Sequence, residues 1–175
     1  GNRLGGGPAA TWLFLRGKAM VDRVDDLLAI MRDVLLHGRF DDKERFLQMA
    51  LEERAGEESS MVPGGHRVVM MRLKAQFDET GWISEQMRGL SYLFFLRELV
   101  DEIESDWPAV QARLEHIRTL LLNRRGMLCN ATLAGSDRAG FESRLQAFLQ
   151  ELPDAERTQQ NWSPNLQAVD EGLTA

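Results

Sequence analysis

Leu90-Ser91-Tyr92-Leu93-Phe94-Phe95-Leu96-Arg97-Glu98-Leu99-Val100-Asp101-Glu102-Ile103-Glu104 reads as a helix whose first half is apolar on nearly all sides. No Gly or Pro interrupts it, and so wide an apolar surface predicts a core helix buried on more than one side. Downstream, Ser105-Asp106-Trp107-Pro108 opens another helix, with Pro in the one turn that tolerates it, and Val110, Leu114, Ile117 and Leu121 form its inner face. Upstream, Asp78 to Gly89 is a short polar helix or turn carrying Trp82 and Met87, preceded by a helix from His66 to about Phe77. The break Met61-Val62-Pro63-Gly64-Gly65 separates that helix from one running from Asp41 to about Ser59, whose start has an acid-x-x-Glu capping pattern.

The remaining helices lie nearer the ends. From about Val21 to His37, Val24, Leu27, Leu28, Met31 and Leu35 share a face; Asp22, Asp25 and Asp26 at the start and His37 at the end suit the helix dipole, and Gly38 supplies the stop. From Ser136 to Leu152 the buried positions are Phe141, Leu145, Phe148 and Leu149, with Pro153 as terminator. Two stretches read as strands: Thr11 to Arg16, and Met127 to Leu133, where Met127, Cys129, Ala131 and Leu133 share a side. Two strands so far apart make a marginal sheet unless further chain completes it. The expected class is therefore α+β, mostly helical, with about six helices and a small, incomplete sheet. Residues 1–10 are Gly-rich and read as a cut or disordered end, residues 11–153 as one incomplete domain, and residues 154–175 as an extended tail.

Composition narrows the function classes. The 175 residues are 43% apolar and 27% charged, which suits a globular fold and not bulk disorder. With 21 Lys and Arg against 27 Asp and Glu, the net charge of −6 argues against a general nucleic-acid binder. One cysteine, Cys129, excludes an internal disulfide framework, and no apolar run approaches the roughly 20 residues that span a bilayer.

Chemistry-bearing clusters are sparse. His37, His66 and His116 stand alone, with neither His-Glu-x-x-His nor its inverse. Glu115 and His116 point about 100° apart on a helix and cannot chelate one ion together. Glu53 and Glu57 are i, i+4 neighbours, which reads as a solvated face before it reads as a catalytic pair. Cys129 within an apolar strand is expected to be inert, and Ser59, Ser60 and Ser91 lack a Gly-x-Ser-x-Gly setting. Gly5-Gly6-Gly7 and Gly64-Gly65 continue to no phosphate-binding motif; the second reads as a sharp helix break. Charge is more informative: Asp78 to Asp106 holds eight acids against Arg88 and Arg97, whereas Gln111 to Arg125 holds four arginines against Glu115. A solvated face accounts for such a segment, and an acidic wall that attracts basic peptides is the sharper reading.

The order of short motifs resembles one family. Leu13-Phe14-Leu15-Arg16-Gly17-Lys18-Ala19, Asp41-Asp42-Lys43-Glu44-Arg45-Phe46-Leu47-Gln48, Glu53-Arg54-Ala55, Gly64-Gly65-His66-Arg67, Gly81-Trp82-Ile83-Ser84-Glu85-Gln86-Met87, Gly89-Leu90-Ser91-Tyr92-Leu93, Asp106-Trp107 and Asn123-Arg124-Arg125-Gly126-Met127 follow in register. Together they resemble the presequence proteases, a branch of the pitrilysin and insulinase-type zinc metallopeptidases. Gly64 stands where that family typically has Ser, and Arg88 where it typically has Gly.

The resemblance implies a clamshell of two halves, each with two related α+β domains, and places this chain as the first domain of the carboxy-terminal half. It implies zinc held by an inverted His-x-x-Glu-His motif in the amino-terminal half, outside this chain, and short unstructured peptides, cleaved organelle targeting peptides among them, as substrates. No catalytic, metal or cofactor residue transfers to this sequence. Glu98, Asp101 and Glu102 are the candidates for peptide-facing acids. The implied partners are the amino-terminal catalytic half and peptide substrates, not nucleic acid or membrane, and the unpaired strands predict self-association of the isolated piece. The implied location is the mitochondrial matrix or chloroplast stroma, or the cytoplasm for a bacterial relative. The alternative from another class is a stand-alone helical interaction module in which Tyr92 to Leu96 docks a partner helix.

Overall fold

The computed structural model describes residues 12–156. Among these, the regular structure is helical: α1 (Val24–His37), α2 (Lys43–Met61), α3 (Gly65–Lys74), α4 (Glu79–Arg88), α5 (Leu90–Ser105), α6 (Trp107–Leu121) and α7 (Arg138–Gln150), with single 3-10 turns at Val21–Arg23, Arg124–Gly126 and Gly135–Asp137. The described residues form two compact units, one holding residues 42–110 and the other 13–41 with 111–156. No helix among the described residues is long and apolar enough to cross a membrane. The expectations for residues 1–11 and for residues 157–175 lie outside the described residues.

In the first unit α5 is the central element, packed against α2 and α4, with α3 against α4. Leu93, Leu96, Val100 and Ile103 recur at helical spacing and are buried, Ile103 completely, alongside Ala50, Ala75 and Val110. Helix starts are set by acids acting as caps. Asp42 accepts from the Arg45 N–H at 2.9 Å, Asp78 from the Gly81 N–H at 2.6 Å, and Asp106 from the Ala109 N–H at 3.2 Å. Tyr92 donates to Glu53 at 3.1 Å and Arg97 pairs with Glu58 at 2.9 Å, which ties α5 to α2 along its length. At the other end the Phe46 and Trp107 rings lie 5.6 Å apart.

Here the expectation for α5 needs correction. Its apolar run is not buried on more than one side: Phe94 and Phe95 remain 46% and 52% exposed. Residues 93, 94 and 95 are spaced about 100° apart around the helix. The stripe that meets α2 and α4 therefore takes Leu93 and turns both phenylalanines outward.

In the second unit α1 packs against α7. Arg32 pairs with Glu151 at 3.1 Å and Arg144 with Asp25 at 3.6 Å across a shallow groove of about 220 Å³. Arg118 donates to the Gly38 carbonyl at 2.7 Å with its guanidinium over the Phe40 ring. After α7, Leu152 is buried, and the Arg124 N–H donates to the Pro153 carbonyl at 3.0 Å. Arg124 and Arg125 both grip Asp154, holding its carboxyl below the usual carboxylate range.

The small sheet is absent among the described residues. Residues 12–16 and 127–133 run as irregular chain, with no backbone hydrogen bonds joining them. Strand patterning becomes a strand only where a partner supplies the ladder, and neither segment has one here. Leu13, Phe14 and Leu128 are consequently 75%, 69% and 78% exposed. Cys129, expected inside an apolar strand, is exposed for the same reason.

Candidate functional site

The α3–α4–α5 junction is built around one buried charge. α4 ends at Arg88 and α5 begins at Leu90, so Gly89 alone makes the corner. A Cβ there would lie 2.7 Å from the Glu85 carbonyl oxygen and 2.9 Å from its Cγ, so only glycine allows the chain to turn this closely. Glycine offers α5 no side-chain cap, and Glu85 provides it instead: its Oε1 accepts from the Ser91 N–H at 2.9 Å. Arg72, from α3, donates to the same oxygen at 3.1 Å and to the Ser91 hydroxyl at 3.1 Å. Gln86 donates to Oε2 at 3.3 Å. The Glu85 side chain is only 1% exposed, and the Arg72 side chain 21%.

This hub was missed from sequence, where Glu85 counted only as one more acid. The signal that could have found it is the uncapped start of α5. A helix opening Gly-Leu-Ser has no N-cap acceptor, so a carboxylate one turn upstream must reach over the corner.

Next to the hub, Gln86, Met87, Ser91, Tyr92 and Phe95 line a shallow cleft of about 430 Å³. Tyr92 and Phe95 stack there with centroids 6.4 Å apart. Burial, followed by the hydrogen bond to Glu53, pushes the Tyr92 phenol above its ordinary range. Because the neutral phenol is favoured in the fold, this contribution to stability is present below about pH 10 and is lost as pH rises through the folded value. Tyr92 is the one tyrosine in the sequence. An absorbance titration of the chain should therefore give a single phenolate transition above about pH 10. Glu53→Gln should move it down only part of the way, since burial is the larger cause; a transition at or below about 10 would contradict this environment.

Glu98, Asp101 and Glu102 all lie on α5 and are exposed. With Phe94 and Phe95 they occupy the side opposite the buried stripe, so one helix face carries two phenyl rings and then, within two turns, three carboxylates. Glu98 and Asp101 form no ion pair among the described residues.

The other sequence candidates are dispersed. His37, His66 and His116 lie on α1, α3 and α6, and His37 sits 3.2 Å from Asp33 on its own helix. No group of three His, Cys, Asp or Glu among the described residues is placed to hold a metal ion, so these residues do not fit a zinc site. Glu53 and Glu58 are engaged by Tyr92 and Arg97, and Glu52 accepts from Gln48 at 2.9 Å. Ser59 and Ser60 hydroxyls donate back to the Gly56 and Glu57 carbonyls, each at 2.9 Å.

Residues 8–99, more than half of the chain and including the whole Arg72–Glu85–Ser91 hub, match the family described as peptidase M16 (subfamily C) associated. The chain belongs to that family. Among curated relatives, presequence protease 1, chloroplastic/mitochondrial, of Arabidopsis thaliana is 38% identical over 142 residues, covering 81% of this chain and 13% of the relative. Protein HypA of Clostridium perfringens (strain 13 / Type A) is 22% identical over 162 residues, covering 93% of this chain and 16% of the relative. The resemblance to presequence proteases carried by the motif order is thereby established. This peptidase-associated chain spans well under a fifth of the length of the curated relatives it matches.

Proposed function

We propose that this chain is a non-catalytic scaffold and peptide-enclosing segment of a zinc metalloendopeptidase, placed at the start of its carboxy-terminal half. The observation that carries the reading is the 38% identity to a presequence protease, sustained over 142 residues. In this reading the zinc and its His-x-x-Glu-His ligands belong to the amino-terminal half of the parent polypeptide. Bound there, zinc polarises a carbonyl and activates water for peptide hydrolysis. What this chain contributes is wall and frame. The Arg72–Glu85–Ser91 hub holds α3, α4 and α5 in fixed register, and the acidic outer face of α5 favours basic, unstructured peptides. Such peptides include cleaved organelle targeting peptides, which are Arg-rich and poor in acids.

Residues 12–16 and 127–133 then find their sheet in the rest of the parent polypeptide, within a clamshell of paired α+β domains. Their exposed apolar side chains and unpaired backbone support this, and they also lead the excised piece to self-associate. The location that goes with the reading is the mitochondrial matrix or chloroplast stroma, or the cytoplasm if the parent is bacterial.

The neighbouring coding sequence tests it. A reading frame that continues upstream through a His-x-x-Glu-His motif is the expected result. A natural start codon near Gly1 and no such motif would favour the stand-alone interaction module instead.

A further inference from the structure

We propose that residues 152–155 form a strap that closes over Arg124 and Arg125 and keeps a trypsin-like protease from cutting the chain after them. The device works whatever the parent enzyme cleaves.

α6 ends at Leu121, and Arg124–Gly126 is a single 3-10 turn that carries two adjacent arginines. Beyond it, residues 128–133 have no backbone hydrogen bond among the described residues, and Leu128 is exposed. Exposed, irregular chain of this kind is where proteolytic nicking concentrates. The Arg125 side chain keeps 56% exposure, so burial is not what shields the pair. Protection has to come from groups that hold the two arginines in place.

The strap supplies that hold. Leu152, 3% exposed, anchors its start, and the ring of Pro153 fixes φ at the next residue. The Pro153 carbonyl accepts from the Arg124 N–H at 3.0 Å, and the Ala155 carbonyl from the Asn123 side-chain amide at 3.0 Å. Between these anchors Asp154 divides its carboxylate, one oxygen to Arg124 and the other to Arg125. The two guanidiniums hold that carboxyl below its ordinary range, so it is ionised at neutral pH. A protease that cuts after arginine draws the guanidinium onto a carboxylate of its own and needs the flanking residues in an extended line. Asp154 competes for the guanidinium, and the two carbonyl anchors oppose the extension. Cleavage therefore proceeds from the open strap and reports its population.

The test is trypsin digestion of the 175-residue chain under native conditions, read by mass spectrometry, with folding of each variant checked by circular dichroism. Cleavage after Arg124 and Arg125 is measured relative to cleavage after Lys18, which lies in exposed, irregular chain. Asp154→Ala should raise that ratio about fivefold, roughly what two partly exposed ion pairs are worth together. Asp154→Asn, which keeps the shape and one acceptor, should raise it less. An unchanged ratio for Asp154→Ala would overturn the proposal. So would an equal rise after Arg144 within α7, since the whole unit would then be unfolding and not the strap. Hydrogen exchange on the unaltered chain is the second measurement and needs no variant to fold. The Arg124 amide should exchange about 10-fold or more slowly than those of residues 128–133. Equal exchange would mean that the strap is not closed, and the proposal would fail.

Discussion

Replacing Arg72 with methionine should destabilise the chain by about 3 kcal/mol, at the lower end of the range for breaking a buried ion pair. Removing the guanidinium leaves the Glu85 carboxylate, 1% exposed, without its charge partner and also withdraws the donor to the Ser91 hydroxyl. The lower end applies because the Arg72 side chain keeps 21% exposure, so water relieves part of the loss. Urea denaturation should show the midpoint falling at an unchanged slope. Combining Arg72→Met with Glu85→Leu should recover part of the stability, because a buried charge with no partner costs more than an apolar pair of similar volume. A loss under about 1 kcal/mol for Arg72→Met would mean that the hub is not a structural tie.

Gly81→Ala should also be costly, and its sign makes it diagnostic. Helix propensity alone predicts that alanine within α4 stabilises by about 1 kcal/mol. In the structure a Cβ at residue 81 would lie 2.7 Å from the Lys74 carbonyl carbon and closer still to its oxygen, both rigid backbone at the end of α3. The same corner is held by Phe77 N–H donating to the Lys74 carbonyl at 3.1 Å and by the Asp78 cap on the Gly81 N–H. Alanine must push α4 off α3, so the expected change is a loss of about 3 kcal/mol, the upper end for overpacking. Gly56 in α2 is the control: nothing lies within 4 Å of a Cβ there, so Gly56→Ala should stabilise by up to about 1 kcal/mol. If both substitutions stabilise, the close approach of α4 to α3 is wrong.

These two sites also show where the sequence was legible. The helices were readable because their signals are local: apolar spacing, the Asp42 and Asp106 starts, Gly38 and Pro153 as stops. Glu98, Asp101 and Glu102 stand out in the sequence only through the charge count of their segment; their exposed face on α5 comes from the structure. What failed depends on partners distant in sequence. Residues 12–16 and 127–133 have the residue types of strands, but hydrogen-bond ladders come from neighbours, and alternation alone could not say that none is present. An unbroken apolar run from Tyr92 to Leu96 reads as buried all round; the side of α5 that Phe94 and Phe95 occupy depends on which helices cover it. Glu85 was overlooked because the need for it arises in α5, whose glycine start lacks a cap, and not in its own helix.

The central claim is that the metal and the cutting chemistry belong to a different stretch of the parent polypeptide. Metal analysis and an oligopeptide hydrolysis assay on the purified 175-residue chain, run beside the parent enzyme, test it most directly. The account predicts neither bound zinc nor hydrolysis for the chain, and both, with activity lost to a chelator, for a parent containing His-x-x-Glu-His. Stoichiometric zinc together with peptide cleavage by the chain alone would contradict it.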